Sequence, residues 1–302
     1  MDRFAAMQTL VAVVESGSFS TAARRLGVGQ PAVSKSVKQL ESDLGTTLLL
    51  RSSSGLVPTE AGQGFYQHAK RALEAAEEAS QSARTSATEL SGRLRVASAI
   101  TLARVHVVPR LQTFLDQHPA LKLEIIMDDR IVDLREEGID IALCMGNMSD
   151  STMTARRIAH CRRVVVGTPE YLDRAGIPAV PSDLADHEVI VYAQQIGGAS
   201  WTFVRGADEV PVVVSGRVST TAAEGVRAGV MAGLGLGIAS EWIFSPELKS
   251  GALVSVLDDW SLPPVDLWAV YPTGRLASIK ARAFADFVEA VLDPGGLTPS
   301  AD

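Results

Sequence analysis

Ser18 to Gly62 reads S-F-S-T-A-A-R-R-L-G-V-G-Q-P-A-V-S-K-S-V-K-Q-L-E-S-D-L-G-T-T-L-L-L-R-S-S-S-G-L-V-P-T-E-A-G. Two short helices about a glycine turn, then two short strands, then the start of a long helix: this order predicts a winged helix-turn-helix, which lays one helix in the DNA major groove. Ser20 suits the N-cap of a helix over Thr21–Leu26. Gly27 and Gly29 bracket a tight turn, and Pro31 fits the first turn of the next helix, where its missing N–H costs nothing. Over Pro31–Leu44 the spacing of Val33, Val37, Leu40 and Leu44 makes one apolar stripe. At roughly 100° per residue, Pro31, Ser34, Lys35 and Lys38 fall on the opposite face. Lys35 and Lys38 suit phosphate or guanine acceptors; Gln30 and Ser34 suit base edges or backbone. Leu48–Leu50 and Leu56–Pro58 read as wing strands joined by Arg51-Ser52-Ser53-Ser54-Gly55. The expected DNA contacts are therefore Arg24, Gln30, Pro31, Ser34, Lys35, Lys38, Arg51, Ser53 and Ser54.

Working outward, Phe4, Met7, Leu10, Val11 and Val14 give Arg3–Glu15 helical spacing, ended by Gly17. No acidic residue lies between Glu15 and Glu41, while Arg24, Arg25, Lys35 and Lys38 do. A basic reading head is thus set in a chain of net charge −7, too acidic overall for a nucleic-acid coat. Downstream, Thr59 and Glu60 cap a long helix reaching about Ser91. Phe65, Ala69, Ala72, Ala76, Ala79, Ala83, Ser86 and Leu90 alternate in steps of four and three, a heptad seam that predicts a coiled coil between two copies. A twofold dimer matches a palindromic operator.

The stretch Ala22 to Gly45, with L-L-x-R at Leu48–Arg51 and T-E-A-G at Thr59–Gly62, resembles the LysR-type transcriptional regulators. D-I-A-L-C-M-G (Asp140–Gly146), P-x-x-P-S-D-L-A-D-H (Pro178–His187) and A-G-L-G-L-G-I-A (Ala232–Ala239) look like that family's effector domain. The resemblance implies a two-lobed α/β body of the periplasmic-binding-protein type, a homodimer or homotetramer, a small-molecule effector and contact with RNA polymerase. Two positions depart from the family pattern. Ser54 stands where the wing usually carries an arginine for the minor groove. Met145 stands where an arginine often follows the D-I-A-L strand, so an anionic ligand would be held differently, or the ligand is less charged.

The body itself reads as strands at Arg93–Ser98, Leu121–Met127 and Ile139–Cys144, with helices at Leu102–Gln117 and Val132–Glu137. This alternation predicts an open, mostly parallel sheet. Val164–Gly167, Val189–Tyr192, Trp201–Val204, Val210–Val214 and Leu236–Ala239 supply a second lobe with a helix over Thr221–Ala232. Val265–Tyr271 and Ile279–Leu292 return to the first. The expected layout is a DNA-binding domain over 1–58, a linker helix over 59–91 and an effector domain over 92–302. Its first lobe covers about 92–161 and 266–302, and its second about 162–265. Ligands of such bodies lie at strand ends and helix starts. That nominates Ala99, Ile100 and Thr101, whose N–H groups suit a carboxylate, then Ser219 and Thr220 at the matching helix start, and Asp128, Met145 and Tyr192 after strands. A small organic acid or a modest aromatic fits such loops.

A length of 302 residues with 46% hydrophobic and 21% charged residues describes folded domains. Two cysteines make no disulfide framework, no signal peptide is evident, and no apolar run is long enough for a bilayer, so a cytoplasmic protein is expected. Gly233–Gly237, G-L-G-L-G, has a helix before it and a strand after it, the reverse of a dinucleotide fingerprint. The five histidines are dispersed without metal-ligand spacing, and no G-x-S-x-G occurs. No cofactor and no enzymatic site are expected. The rival mechanism is a thiol switch between Cys144 and Cys161, set against the default of two inert thiols in apolar strands.

Overall fold

The computed structural model describes residues 2–52, 55–84, 90–130, 133–146, 153–193, 200–272 and 277–292. The chain divides into two units, Met1–Gly92 and Arg93–Asp302.

In the first unit, α1 (Arg3–Ser16) is capped by Asp2, whose carboxylate accepts from the N–H groups of Phe4 and Ala5. The next helix, α2, spans Phe19–Leu26, with Ser18 rather than Ser20 as its N-cap. Ser18 wins because its extended backbone lets the hydroxyl accept from Thr21 N–H. Then α3 (Gln30–Leu44) starts one residue before Pro31, from Gly29. Val33, Val37 and Leu40 are its buried stripe, packed with Leu10, Val13, Ala22 and Ala23 into one small core. The wing strands β1 (Leu49–Ser52) and β2 (Gly55–Pro58) pair antiparallel, so Arg51 lies within a strand and not in the connecting loop. Ser53 and Ser54 lie outside the described residues. Helix α4 covers Glu60–Arg84. Of the expected heptad seam, Phe65 packs on the head core and Ala69 is buried within the chain, and Leu90 and Ser91 are not helical; Ala79 and Ala83 have no described side chain, and Ser86 lies outside the described residues.

The T-E-A-G segment has a steric explanation. Thr59 Oγ1 accepts from Gly62 N–H at 2.9 Å and donates to the Thr47 carbonyl at 2.8 Å. A Cβ on Gly62 would lie 1.9 Å from the Leu48 carbonyl oxygen, so only glycine lets α4 start against the wing.

The second unit holds two five-stranded sheets. The first has strand order β4 (Leu121–Met127), β3 (Gly92–Ser98), β5 (Ile141–Met145), β14 (Val265–Tyr271), β6 (Thr154–Cys161). The second runs β11 (Ser219–Thr220), β8 (Val189–Tyr192), β12 (Leu236–Ser240), β7 (Arg163–Gly167), β13 (Val254–Val256). The chain passes between them at Arg162 and again before Val265. Both sheets are mixed, not mostly parallel: β5–β14, β14–β6, β12–β7 and β13–β7 are antiparallel. The unforeseen β6 explains much of this. It is an edge strand whose residues Thr154, Arg156, Arg157 and His160 are exposed or half-exposed, so its sequence lacks the apolar run of a buried strand. The hairpin of β9 (Ser200–Arg205) and β10 (Asp208–Val213) packs separately on the second sheet.

Two helical expectations are corrected. Leu102–Gln117 is not one helix but α5 (Ile100–Leu102), a π-helical turn (Ala103–Val107), a 3-10 turn (Val108–Arg110) and α6 (Leu111–Gln117). Pro109 has no N–H to continue the ladder, and the misfit is taken up by turns of other pitch. The expected helix over Val132–Glu137 is a turn where it is described: the Asp133 carboxylate accepts from Arg135 and Glu136 N–H at 2.9 and 3.1 Å and closes it locally. Elements not foreseen include α7 (Pro169–Ala175), a 3-10 turn (Pro181–Asp186), α9 (Glu241–Ser250) and β13. Helix α8 covers Ala223–Met231, and α10 (Ile279–Leu292) closes the chain.

Candidate functional site: a DNA-reading face and an inter-lobe cleft

In the first unit, burial of Val33, Val37 and Leu40 turns Gln30, Pro31, Lys35 and Lys38 outward, all exposed, with Ser34 half-exposed between them. Neither lysine has an ion-pair partner among the described residues. Arg24 is exposed too, with a 3.4 Å contact from its guanidinium to Thr21 Oγ1. Arg25 is not available: it pairs with Glu15 at 2.7 Å, as does Lys70 at 2.8 Å. Arg51 is exposed on β1. The helix and wing are fixed to each other by Glu41, whose Oε1 accepts from Leu48 and Leu49 N–H at 2.7 and 3.1 Å. Leu56 N–H also donates to the Gly17 carbonyl at 3.0 Å. The result is a rigid mount with a cationic face, which can neutralise phosphates and present donors to base edges.

In the second unit, the end of β3 and the start of α8 meet across the two lobes. Thr101 is 1% exposed, and its hydroxyl donates to Glu224 Oε2 at 3.1 Å. Arg104 also donates to Glu224 Oε2 at 3.0 Å, and Arg227 to its other oxygen at 2.8 Å. Arg227 in turn pairs with the buried Glu247. Asp129 joins the lobes directly, accepting Ile100 N–H at 3.0 Å and Ala223 N–H at 3.0 Å. A further tie comes from a proline. Pro246 lies inside α9 and has no N–H for the Trp242 carbonyl four residues back. That carbonyl instead takes His106 Nε2 of the first lobe at 2.9 Å. Burial pushes the His106 imidazole below its ordinary value; the Trp242 bond opposes the shift and Arg110 and Lys249 add to it.

Of the residues nominated for the effector, Ile100 and Thr101 are therefore in the cluster, with Ala99 immediately before them. Tyr192, half-buried, stands opposite Thr220 in the β8–β11 register, and burial, then the Asp129 charge, raises its phenol. Thr220 uses its hydroxyl locally, accepting from Ala222 N–H at 3.3 Å, and Ser219 is exposed. Asp128 turns to its own loop: bonds from the Arg130 side chain lower its carboxyl to about 2. Met145 ends β5 opposite Leu267. The residues that sequence reading missed are Asp129, Glu224 and His106. D-D-R offered two carboxylates with no way to rank them, whereas an acid in the first turn of α8 and a proline inside α9 were visible signals.

Cys144 and Cys161 do not form a pair. They sit on β5 and β6, on opposite sides of β14, opposite Trp268 and Val265 respectively. Two strand spacings and three residues of register separate them by roughly 14 Å, far beyond disulfide reach. Burial pushes both thiols up to about 11. Among the described residues no group of His, Cys, Asp or Glu is placed to hold a metal ion. No described helix is long and apolar enough to cross a membrane.

A DNA-reading head on a two-lobed ligand-binding body defines a class, the ligand-linked transcription regulator. Comparisons with known proteins give the family. Residues 4–63 match the model of the bacterial regulatory helix-turn-helix protein, lysR family, and residues 87–293 match the LysR substrate binding domain. The chain belongs to the LysR-type transcriptional regulators. It is a DNA-binding regulator with an effector-binding domain, and its family is one of regulators, not enzymes. The regulator PtxR of Pseudomonas aeruginosa is 32% identical over 93% of this chain and 90% of its own. The activator TtdR of Escherichia coli K12 is 31% identical over 94% and 92%. Among solved structures, CrgA of Neisseria meningitidis matches with a TM-score of 0.61 at 29% identity, covering 97% of this chain and 99% of its own. Full-length AphB of Vibrio cholerae matches with a TM-score of 0.58 at 25% identity, over 95% and 99%.

Proposed function

We propose that this protein is a cytoplasmic homo-oligomer that reads a palindromic operator with α3 and is set by a small molecule bound between the lobes of its effector domain. The observation that carries the reading is the exposed, unpaired face of Lys35 and Lys38 on a helix whose opposite face is locked into the core. Gln30, Pro31 and Ser34 present base-edge contacts beside them, and Arg24, Arg51 and the wing residues Ser53 and Ser54 hold flanking phosphates. A DNA-binding domain over 1–58, a dimerising linker over 59–91 and an effector domain over 92–302 divide these tasks. Contact with RNA polymerase then turns occupancy into regulation. In the cleft, Ala99, Ile100, Thr101, Tyr192, Ser219 and Thr220 surround the effector, with Asp128 and Met145 at strand ends nearby. A small organic acid suits N–H donors and hydroxyls of this kind. The effector acts through unequal affinity for two lobe arrangements.

The test is to mix the purified protein with sheared DNA from its own genome and sequence what it retains. The expected result is enrichment of intergenic fragments that share a short interrupted palindrome. Retention without any shared sequence, at a salt concentration where the protein is folded, contradicts the reading.

A further inference from the structure

Asp129 lies two residues beyond β4, and both of its carboxylate oxygens are engaged. Oδ1 accepts Ile100 N–H from the first lobe at 3.0 Å, and Oδ2 accepts Ala223 N–H from the start of α8 in the second lobe at 3.0 Å. The carboxylate of a small acid has the two oxygens needed to accept the same pair of bonds. The nearby cations are already committed: Arg104 and Arg227 both pair with Glu224. Charge-assisted bonds of this kind are stronger than neutral ones. Because Asp129 is part of the chain, it meets its donors at a high effective concentration.

We propose that Asp129 is a tethered latch: it ties the two lobes together, and an acidic effector acts by taking its place between Ile100 and Ala223. This rests on the reading of the chain as an effector-controlled regulator. While Asp129 makes both bonds, Ala223 of the second lobe is tied to the first-lobe loop that carries Asp129. Once a ligand carboxylate makes them, that loop is released and the ligand takes over the tie to Ala223. The released arrangement takes the ligand and the latched one does not, which is the unequal affinity for two arrangements that any effector needs. It also selects among acids. A simple acid must displace an internal competitor and binds weakly, while one with further contacts to the cleft overcomes it.

The experiment uses the full chain, with amide hydrogen exchange read by mass spectrometry over the segments containing Ile100 and Ala223. Wild type, Asp129→Ala and Asp129→Asn are compared, each in sodium acetate and in sodium chloride of equal ionic strength. In Asp129→Ala both segments should exchange faster, by about tenfold or more. Asp129→Asn, which keeps an oxygen for one donor and much of the volume, should fall between. Acetate, not chloride, should restore protection in Asp129→Ala and leave wild type unchanged at the same concentration. Wild-type exchange in both variants, or a change in one segment alone, overturns the latch. Equal effects of acetate and chloride on Asp129→Ala, or an equal acetate effect on wild type, overturn the displacement. Retention of genomic DNA by the same wild-type sample separates the two failures. If that retention fails, the regulator reading falls; if DNA is retained and the acetate pattern fails, only the latch does.

Discussion

On α3, Lys35 and Lys38 stand exposed with no ion-pair partner among the described residues. Between the two lobes, Asp129, Glu224, Arg104 and Arg227 all bond to one another or to backbone N–H. The first arrangement has charge to spare as folded. The second is satisfied internally, so a ligand placed there, as proposed, replaces bonds already made. On the proposed reading, the head uses a rigid mount and spare charge, and the body uses ties that can be exchanged.

The comparison breaks most readily at the mount. Gly62→Ala puts a methyl group 1.9 Å from the Leu48 carbonyl oxygen. It should destabilise the head by about 3 kcal/mol, seen in thermal unfolding as an early transition of the N-terminal unit. The transition of residues 93–302 should hold its temperature; a shift there instead would mean the glycine serves the body.

The cysteines sharpen the contrast in a second way. With both thiols raised to about 11, iodoacetamide at neutral pH should label the native chain about a hundredfold more slowly than a free peptide thiol. In urea the labelling rate should recover. Because the folded values lie above the unfolded value near 9.0, the unfolded chain ionises first. The stability these thiols contribute is present below pH 9 and is lost as pH rises through about 11. Fast labelling of either thiol in the native state would revive the redox mechanism.

A smaller effect comes from Thr101→Val, which keeps the volume and removes the hydroxyl bonded to Glu224. It should cost about 1–2 kcal/mol in the unfolding of the effector unit, leave DNA retention intact and blunt the response to an effector. Serine at this position should recover most of the loss. The smallest is the pH dependence of the His106 tie. The folded imidazole titrates below the unfolded value of 6.5, so its contribution is present above pH 6.5 and is lost as pH falls below it. Denaturation midpoints should therefore decline less steeply through that range in His106→Gln than in wild type.

The head was the more legible unit because its helices are local: the Val33, Val37, Leu40 stripe and the glycine turns each report on a few neighbours. Even there the cap moved from Ser20 to Ser18, since backbone conformation and not residue type decided between them. In the body, β14 and α10 were readable from apolar pattern alone, whereas edge strand β6 carries arginines and a histidine outward and gave no such signal. The cleft was legible as a place but not as a network. Ile100 and Thr101 follow from strand-end logic, but their partners Asp129 and Glu224 lie 29 and 123 residues away in sequence. Ile100 and Asp129 meet because β3 and β4 are neighbours in one sheet, whereas Thr101 and Glu224 meet only through the crossing of the chain between two sheets.

On the proposed reading, the bare cationic face of α3 reads DNA. The most direct test is the salt dependence of binding to a recovered operator fragment, wild type against Lys35→Ala with Lys38→Ala. Each lysine that neutralises a phosphate contributes about 0.9 to the slope of log affinity against log salt. The double variant should bind more weakly, with a slope smaller by about 2. An unchanged affinity and slope in a folded variant would contradict it.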